Sequence, residues 1–228
     1  MLALIFHILI HLFIYSSILH FSKTDSNDTA IKEAYQVMNE LAKEDQGSKQ
    51  GMGSMDNILM RKVTQDVLRI DKRLALYDLL YMWGHIGLSS KTYLTQINVT
   101  LEDAYLGIVS RYENNPNDIN SREEMIDYYF LHGVIAVTLF LSGDISDEVA
   151  ETDLRKVLEL SKGYEFKDPY HVPHALYELG MMYYRQEKKK QAKEVLVRAQ
   201  KIPEGYLFDR ALQFRINGPL DLLLFFST

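Results

Sequence analysis

Residues 174–203 constrain the fold of this chain more than any other stretch. Apolar and small residues recur there at helical spacing in two runs, on either side of the basic Lys188–Lys190. The small residues Gly180 and Ala192 would let two paired helices approach closely. The stretch therefore predicts two helices joined by a turn. The positions that we expect to hold the pair together are Leu179, Gly180, Tyr183, Ala192, Leu196 and Ala199.

The order and spacing of these residues are typical of the 34-residue tetratricopeptide repeat. One such hairpin cannot bury its apolar faces alone, so further helix pairs have to stack on it. Residues 121–160 predict a second, degenerate copy, in which Gly133 takes the place of Gly180. Leu154 keeps the spacing of Leu196, and five extra residues lie in the turn. We expect an all-α fold of tetratricopeptide-like helical hairpins, stacked as a short α-solenoid.

The rest of the chain divides into segments of different composition. No stretch shows the period-two alternation of a half-buried strand. We expect helices at about 28–44, 55–68, 71–85, 92–112, 121–141 and 147–160, and a capping box formed by Ser121 and Glu124. The expected segments are an apolar stretch at 1–22, a helix and flexible linker at 23–54, a helical segment at 55–120, two repeats at 121–203, a closing helix at 204–218 and an apolar tail at 219–228.

The composition argues against several classes of function. The net charge is −6, and nucleic-acid binding requires a clustered basic face, so no nucleic-acid partner is expected. The short run Lys188–Lys190 is interpreted as a solvated turn. Cysteine is absent, which excludes disulfides, cysteine-ligated zinc and thiol catalysis, and suits a reducing compartment.

Residues 1–21, MLALIFHILIHLFIYSSILHF, are apolar over a length that can span a bilayer as a helix. No basic residue precedes them, and Ile14 and Tyr15 are bulky where a cleaved signal peptide needs small residues. Two interpretations stay open: a membrane anchor, or a core helix or atypical start. We expect a cytoplasmic protein, which residues 1–21 would hold at an organelle membrane surface if they act as an anchor.

A metal site is one interpretation of His171, His174 and Glu178, which stand at i, i+3 and i+7. However, Pro173 is a favourable first helical residue, which would leave His171 before the helix and turned away from the other two. The sequence has no glycine-rich phosphate loop, GxSxG elbow or HExxH motif. We therefore expect no catalytic residues, metal or cofactor, with a metal-dependent enzyme as the alternative.

The inner face of the predicted repeat has the composition of a binding groove. Its positions are apolar and aromatic, which suits a protein partner that offers a hydrophobic helical peptide. Alternatively, the helix at 205–216 or the tail at 220–226 fills the groove. The predicted groove residues are His174, Tyr177, Met181, Tyr184 and Arg185, and in the degenerate copy Asp127, Phe130, Val134, Val137 and Thr138. Upstream, Tyr77, Tyr81 and Trp83 form an apolar stripe that we expect in the core.

Several stretches resemble the C-terminal part of the tetratricopeptide repeat protein 39 family, which includes the fungal inclusion-body-clearance proteins. The resemblance covers roughly residues 31–216. The matching stretches are Arg61-Lys62, ALYDLLYMWGHIG at 75–87, DPYHVPHALYELGMMYY at 168–184, and Leu212 with Phe214-Arg215-Ile216. The resemblance implies a non-enzymatic cytosolic scaffold for protein–protein interaction, tied to lipid-droplet, sterol or protein-turnover control.

Overall fold

The structure is a computed structural model that describes residues 72–82, 84–140, 143, 147–163, 170–206 and 208–225. The described residues from Leu76 onward belong to one compact unit, Leu76–Thr228. The apolar stretch at 1–22, the predicted helices at 28–44 and 55–68, and Trp83 lie outside the described residues.

The described part of the chain is helical throughout, and no strand occurs in it. This confirms the all-α prediction for these residues. The helices are α1 (Lys72–Met82), α2 (Lys91–Asn114), α3 (Ile119–Phe140), α4 (Asp147–Leu160), α5 (His171–Arg185), α6 (Lys189–Gln200) and α7 (Asp209–Phe225), with a 3-10 turn at Ile86–Leu88 between α1 and α2. Within the described ranges, no helix combines the length and the apolar character needed to cross a bilayer.

The start of α3 differs from the expectation. Asp118 Oδ2 accepts hydrogen bonds from the backbone N–H of Ser121 at 2.8 Å and from its hydroxyl at 2.7 Å. The Glu124 carboxylate instead forms an ion pair with Arg111 of α2, at 2.9 Å. The predicted capping box of Ser121 and Glu124 is therefore wrong. An aspartate carboxylate is a strong acceptor for the unpaired N–H groups of a first helical turn, and Asp118 takes this role.

The end of the chain also differs from the expected segments. Helix α7 contains Pro219 and continues to Phe225, so the closing helix extends beyond residue 218 into the expected tail. Proline lacks the N–H that would close a helical hydrogen bond. The apolar residues Leu220 and Leu223 are buried. Burial of this side of α7 accounts for the helix continuing through the proline.

Neighbouring helices pack in a regular order. Helix α3 packs most extensively on α4, and α5 packs in the same way on α6. Helix α2 packs on α3, while both α3 and α4 contact α5. Helix α7 contacts α6 and α5. Since α5 contacts α3, α4, α6 and α7, it occupies the centre of the described packing.

In each helix pair a glycine lies against a leucine of the partner helix. An ideal Cβ built on Gly180 would stand 2.6 Å from Leu196 Cγ of α6. The same construction on Gly133 gives 3.0 Å to Leu154 Cγ of α4. Ordinary carbon contacts are about 3.5–4.0 Å, so a side chain at Gly180 would force Leu196 to shift, and one at Gly133 would require Leu154 to move by a few tenths of an ångström. The predicted correspondence of Gly133 with Gly180, and of Leu154 with Leu196, agrees with these two contacts. All six positions expected to hold the second pair together are buried: Leu179, Gly180, Tyr183, Ala192, Leu196 and Ala199.

Candidate functional site

In the structure, other parts of the same chain cover much of the predicted groove. His174 and Tyr177 are buried, whereas Met181 and Tyr184 are half-buried and Arg185 is exposed. In the preceding pair, four of the five predicted positions are buried (Asp127, Phe130, Val134 and Val137), and Thr138 is half-buried. Among the described groove positions, those that are half-buried or exposed are therefore Thr138 near the end of α3 and Met181, Tyr184 and Arg185 on the last turns of α5.

Helix α7 covers Tyr177. The guanidinium carbon of Arg215 lies 4.6 Å from the centre of the Tyr177 ring, and its Nη2 atom lies 3.8 Å from Glu178 Oε1. The geometry is that of a cation–π contact combined with a long ion pair. Of the two interpretations of the groove, filling by the chain's own last helix holds at Tyr177. The role of Arg215 depends on the packing of α7 against α5, for which the sequence contains no local signal.

Helix α1 covers His174 through the hydroxyl of Tyr81. This hydroxyl lies 3.0 Å from His174 Nδ1 and donates a hydrogen bond of 3.0 Å to Glu178 Oε1. Because it has one proton, it accepts from an N–H at Nδ1 of His174. Tyr77 and Tyr81 are buried, as predicted for the apolar stripe. The polar contacts of the Tyr81 hydroxyl were missed, since an aromatic stripe indicates burial and not its partners.

Burial shifts the pKa values of the two hydrogen-bonded residues Glu178 and Tyr81. It raises the pKa of Glu178, while the positive charge of Arg215 and the hydrogen bond from Tyr81 oppose that shift. Burial, followed by the nearby Glu178 charge, raises the pKa of Tyr81 well above its ordinary value. The Tyr81 hydroxyl therefore keeps its proton at neutral pH and remains a donor to Glu178.

A second buried polar group lies between α1, α3 and α5. Ligand atoms of Asp78, Asp127 and His171 all lie within 4.8 Å of one another. The His171 Nε2 atom is 2.6 Å from Asp127 Oδ1. The hydroxyl of Tyr170, which precedes α5, donates a hydrogen bond to Asp78 Oδ2. The exposed fractions of Asp78, Asp127 and His171 are 0%, 1% and 4%. We call these three residues the Asp–Asp–His cluster.

The cluster corrects the metal set considered from the sequence. His171 is the first residue of α5, so Pro173 is the third and not the first. Proline is tolerated there because the first N–H groups of a helix have no intrahelical acceptor. His171 faces Asp127 of α3, whereas His174 and Glu178 face Tyr81 of α1. The structure therefore does not bring His171 together with His174 and Glu178. This agrees with the expectation that His171 is turned away from the other two, although Pro173 is not the first helical residue.

The two aspartates of the cluster were missed as ligands because they are remote from His171 in the chain. Asp127 precedes it by 44 residues and Asp78 by 93. A local signal exists at each position, since an acidic residue interrupts an apolar run in ALYDLLYMW and in MIDYYFL. A buried carboxylate needs polar partners, and such interruptions mark where to look for them.

A scan against protein-family models, a search of curated proteins and a search of solved structures each found no match. A function for this chain is therefore inferred from the geometry of its helix pairs and of its buried polar groups.

Proposed function

We propose that the chain is a non-enzymatic protein-binding scaffold, built from tetratricopeptide-like hairpins that stack as a short α-solenoid. The observation that carries the proposal is the repeated contact of a glycine with a leucine, Gly133 with Leu154 and Gly180 with Leu196, in two consecutive helix pairs. The contact of α3 with α5 supports the stacking of one pair on the next. Proteins built from stacked helix pairs recognise partners through extended surfaces.

The exposed part of the inner face supplies the proposed binding surface. Met181 and Tyr184 are half-buried on the last turns of α5, and Arg185 beside them is exposed. Large apolar and aromatic side chains supply most of the affinity in protein interfaces, and charged groups at the rim add less. A hydrophobic helical peptide whose edge carries an acidic residue for Arg185 fits this surface.

Proximity labelling with the intact gene product, compared with a Met181→Ala/Tyr184→Ala variant, tests the proposal. The variant should lose the partners that the wild-type chain labels, while its far-ultraviolet circular dichroism stays helical. Leu106→Ala is the matched control, because Leu106 is a large apolar residue that is 77% exposed on α2. Identical partners for the wild-type chain and the double variant would contradict the proposed surface.

The resemblance to the tetratricopeptide repeat protein 39 family indicates where such partners belong. It favours a cytoplasmic scaffold in lipid-droplet, sterol or protein-turnover control. Labelled proteins should then include organelle-surface proteins with hydrophobic helical segments. A set dominated by nucleic-acid-binding proteins would contradict this assignment, because the chain has a net charge of −6.

A second candidate is a scaffold held at an organelle surface by residues 1–21. The supporting observation is the apolar stretch itself, which has the length of a bilayer-spanning helix. Cell fractionation should then recover the full-length chain with membranes and a chain that starts at Lys23 in the soluble fraction. Equal recovery of both chains in the soluble fraction would exclude the anchor.

A further inference from the structure

We infer that the Asp–Asp–His cluster is a structural binding site for a divalent transition metal of the zinc type. The ligands would be the carboxylates of Asp78 and Asp127 and the imidazole of His171. They come from α1, α3 and α5, so one ion would link three helices. The inference concerns stability and is independent of the proposed protein-binding function.

The distances are close to those that an ion requires. Ligand atoms about 2.1 Å from a tetrahedral ion are about 3.4 Å from one another. In the structure the three ligand atoms lie within 4.8 Å of one another, and the closest pair, His171 Nε2 and Asp127 Oδ1, is 2.6 Å apart. The longest separation would have to shorten by about 1.4 Å and the shortest would have to lengthen by about 0.8 Å. Rotation of the three side chains would have to supply both changes.

The imidazole of His171 provides an independent indication. Its Nδ1 atom has no hydrogen-bond partner among the described residues, although the side chain is almost fully buried. Its Nε2 atom forms an ion pair with Asp127 at 2.6 Å, a contact that an ion between the two groups would replace. Buried polar atoms in proteins nearly always have a hydrogen-bond partner. Coordination of an ion by one ring nitrogen would give that nitrogen a partner.

The chemical types of the three ligands indicate which metal would bind. One imidazole nitrogen with two carboxylate oxygens suits zinc, whereas magnesium and calcium prefer oxygen ligands throughout. The hydrogen bond from Tyr170 to Asp78 orients the carboxylate, as groups that support metal ligands do. Three protein ligands leave one tetrahedral position, which an enclosed water molecule or a second carboxylate oxygen would fill. The ligands are at most 4% exposed, so the bound ion would be shielded from solvent.

A comparable His–Asp pair elsewhere in the structure serves as a control. His132 Nδ1 of α3 lies 2.5 Å from Asp153 Oδ2 of α4. Among the described residues, the only three-residue group with converging ligand atoms is the Asp–Asp–His cluster. His132→Gln should therefore leave zinc binding unchanged. His7→Ala/His11→Ala is a second control, because these two histidines are four residues apart outside the described part.

The experiment uses the full chain, stripped with a chelator, dialysed and titrated with Zn²⁺. Calorimetry and elemental analysis should give one zinc ion per chain, retained in excess Mg²⁺, with an unfolding temperature that rises with zinc concentration. Asp127→Asn and His171→Gln should each lose stoichiometric zinc. Tyr170→Phe should weaken binding about 10- to 100-fold, because it removes the group that orients Asp78.

Three results would overturn the inference. The first is a wild-type chain that retains no zinc after dialysis, and this measurement decides the matter even where a ligand variant fails to fold. The second is stoichiometric zinc in folded Asp127→Asn and His171→Gln. The third is loss of zinc in either histidine control, which would assign the ion to another part of the chain.

Discussion

The Tyr183 hydroxyl of α5 donates a hydrogen bond of 2.6 Å to Glu151 Oε1 of α4. Arg155 closes a triangle, because its Nη2 atom donates to the Tyr183 hydroxyl at 2.8 Å and its Nε atom donates to Glu151 at 2.7 Å. Burial, followed by the hydrogen bond to Glu151, raises the pKa of Tyr183 to about 12. The hydroxyl stays protonated at neutral pH and connects the first helix pair to the second.

Tyr183→Phe should therefore lower the free energy of unfolding by roughly 1–2 kcal/mol, the range for a hydrogen bond to a charged group that is partly solvated. Urea unfolding followed by circular dichroism measures the loss. Tyr112→Phe removes the same atom from a half-buried tyrosine of α2 and should change the free energy by less than about 0.5 kcal/mol. Equal losses in the two variants would show that the triangle does not connect the pairs.

Gly180→Ala should destabilise the protein although alanine favours helices. The new Cβ would stand 2.6 Å from Leu196 Cγ, and overpacking of this kind costs about 1–3 kcal/mol, against a gain of about 1 kcal/mol in helix propensity. Gly180→Arg should be worse, because a long charged side chain enters the same contact. Thermal unfolding by circular dichroism measures both, and unchanged melting temperatures would contradict the close approach of α5 and α6.

The loss of stability that Gly180→Ala causes should depend on Leu196. In a Leu196→Ala background the obstructing atoms are absent, so we expect a coupling of at least about 1 kcal/mol in a double-mutant cycle. Gly107→Ala is the control, since this exposed glycine of α2 meets only the flexible end of Arg111, at 3.4 Å. That substitution should stabilise the protein by up to about 1 kcal/mol through helix propensity.

Glu178→Gln should change the pH dependence of stability in one direction. Burial raises the pKa of Glu178 above its ordinary value of 4.5. A group with a raised folded-state pKa contributes its full stability below the unfolded value, and this is lost as the pH rises through the folded value. The wild-type chain should therefore lose stability relative to Glu178→Gln as the pH rises from 4.5.

Urea unfolding of both proteins in a series of buffers between about pH 4 and 8 measures this difference. Glu113→Gln is the matched control, because it makes the same carboxylate-to-amide change on an exposed residue of α2. A wild-type advantage over Glu178→Gln that grows with pH would mean that Arg215 outweighs burial, contrary to the expected direction.

Tyr177→Ala should act on stability and not directly on partner binding. Tyr177 is 8% exposed and its ring lies beneath Arg215, and truncation of a buried aromatic side chain costs about 3–5 kcal/mol. Tyr184→Ala, on a half-buried residue of the same helix, should cost clearly less. Urea unfolding compares the two. A folded Tyr177→Ala variant of unchanged stability would show that Tyr177 belongs to an open groove.

Helix positions depended mainly on local information. The periodicity over residues 147–160 predicted α4 with the bounds that the structure shows, and Gly180 was recognised as the close contact of its pair. Both inferences use spacings of three or four residues along one helix, where side chains share a face. The prediction of a capping box at the start of α3 was also local, but it was wrong. Asp118 accepts the hydrogen bond from the backbone N–H of Ser121 that the Glu124 side chain would accept in a capping box.

Tertiary structure determined which helices cover the residues of the predicted inner face. The amino-acid sequence alone determined that α5 carries His171, His174, Tyr177 and Glu178 close together, but not which helices would cover them. The packing of α1 placed Tyr81 and Asp78 there, and the packing of α7 placed Arg215 over Tyr177. Partners tens of residues away share no helical period with α5. Their meeting depends on how whole helices pack, and so only the folded chain defines the buried polar groups.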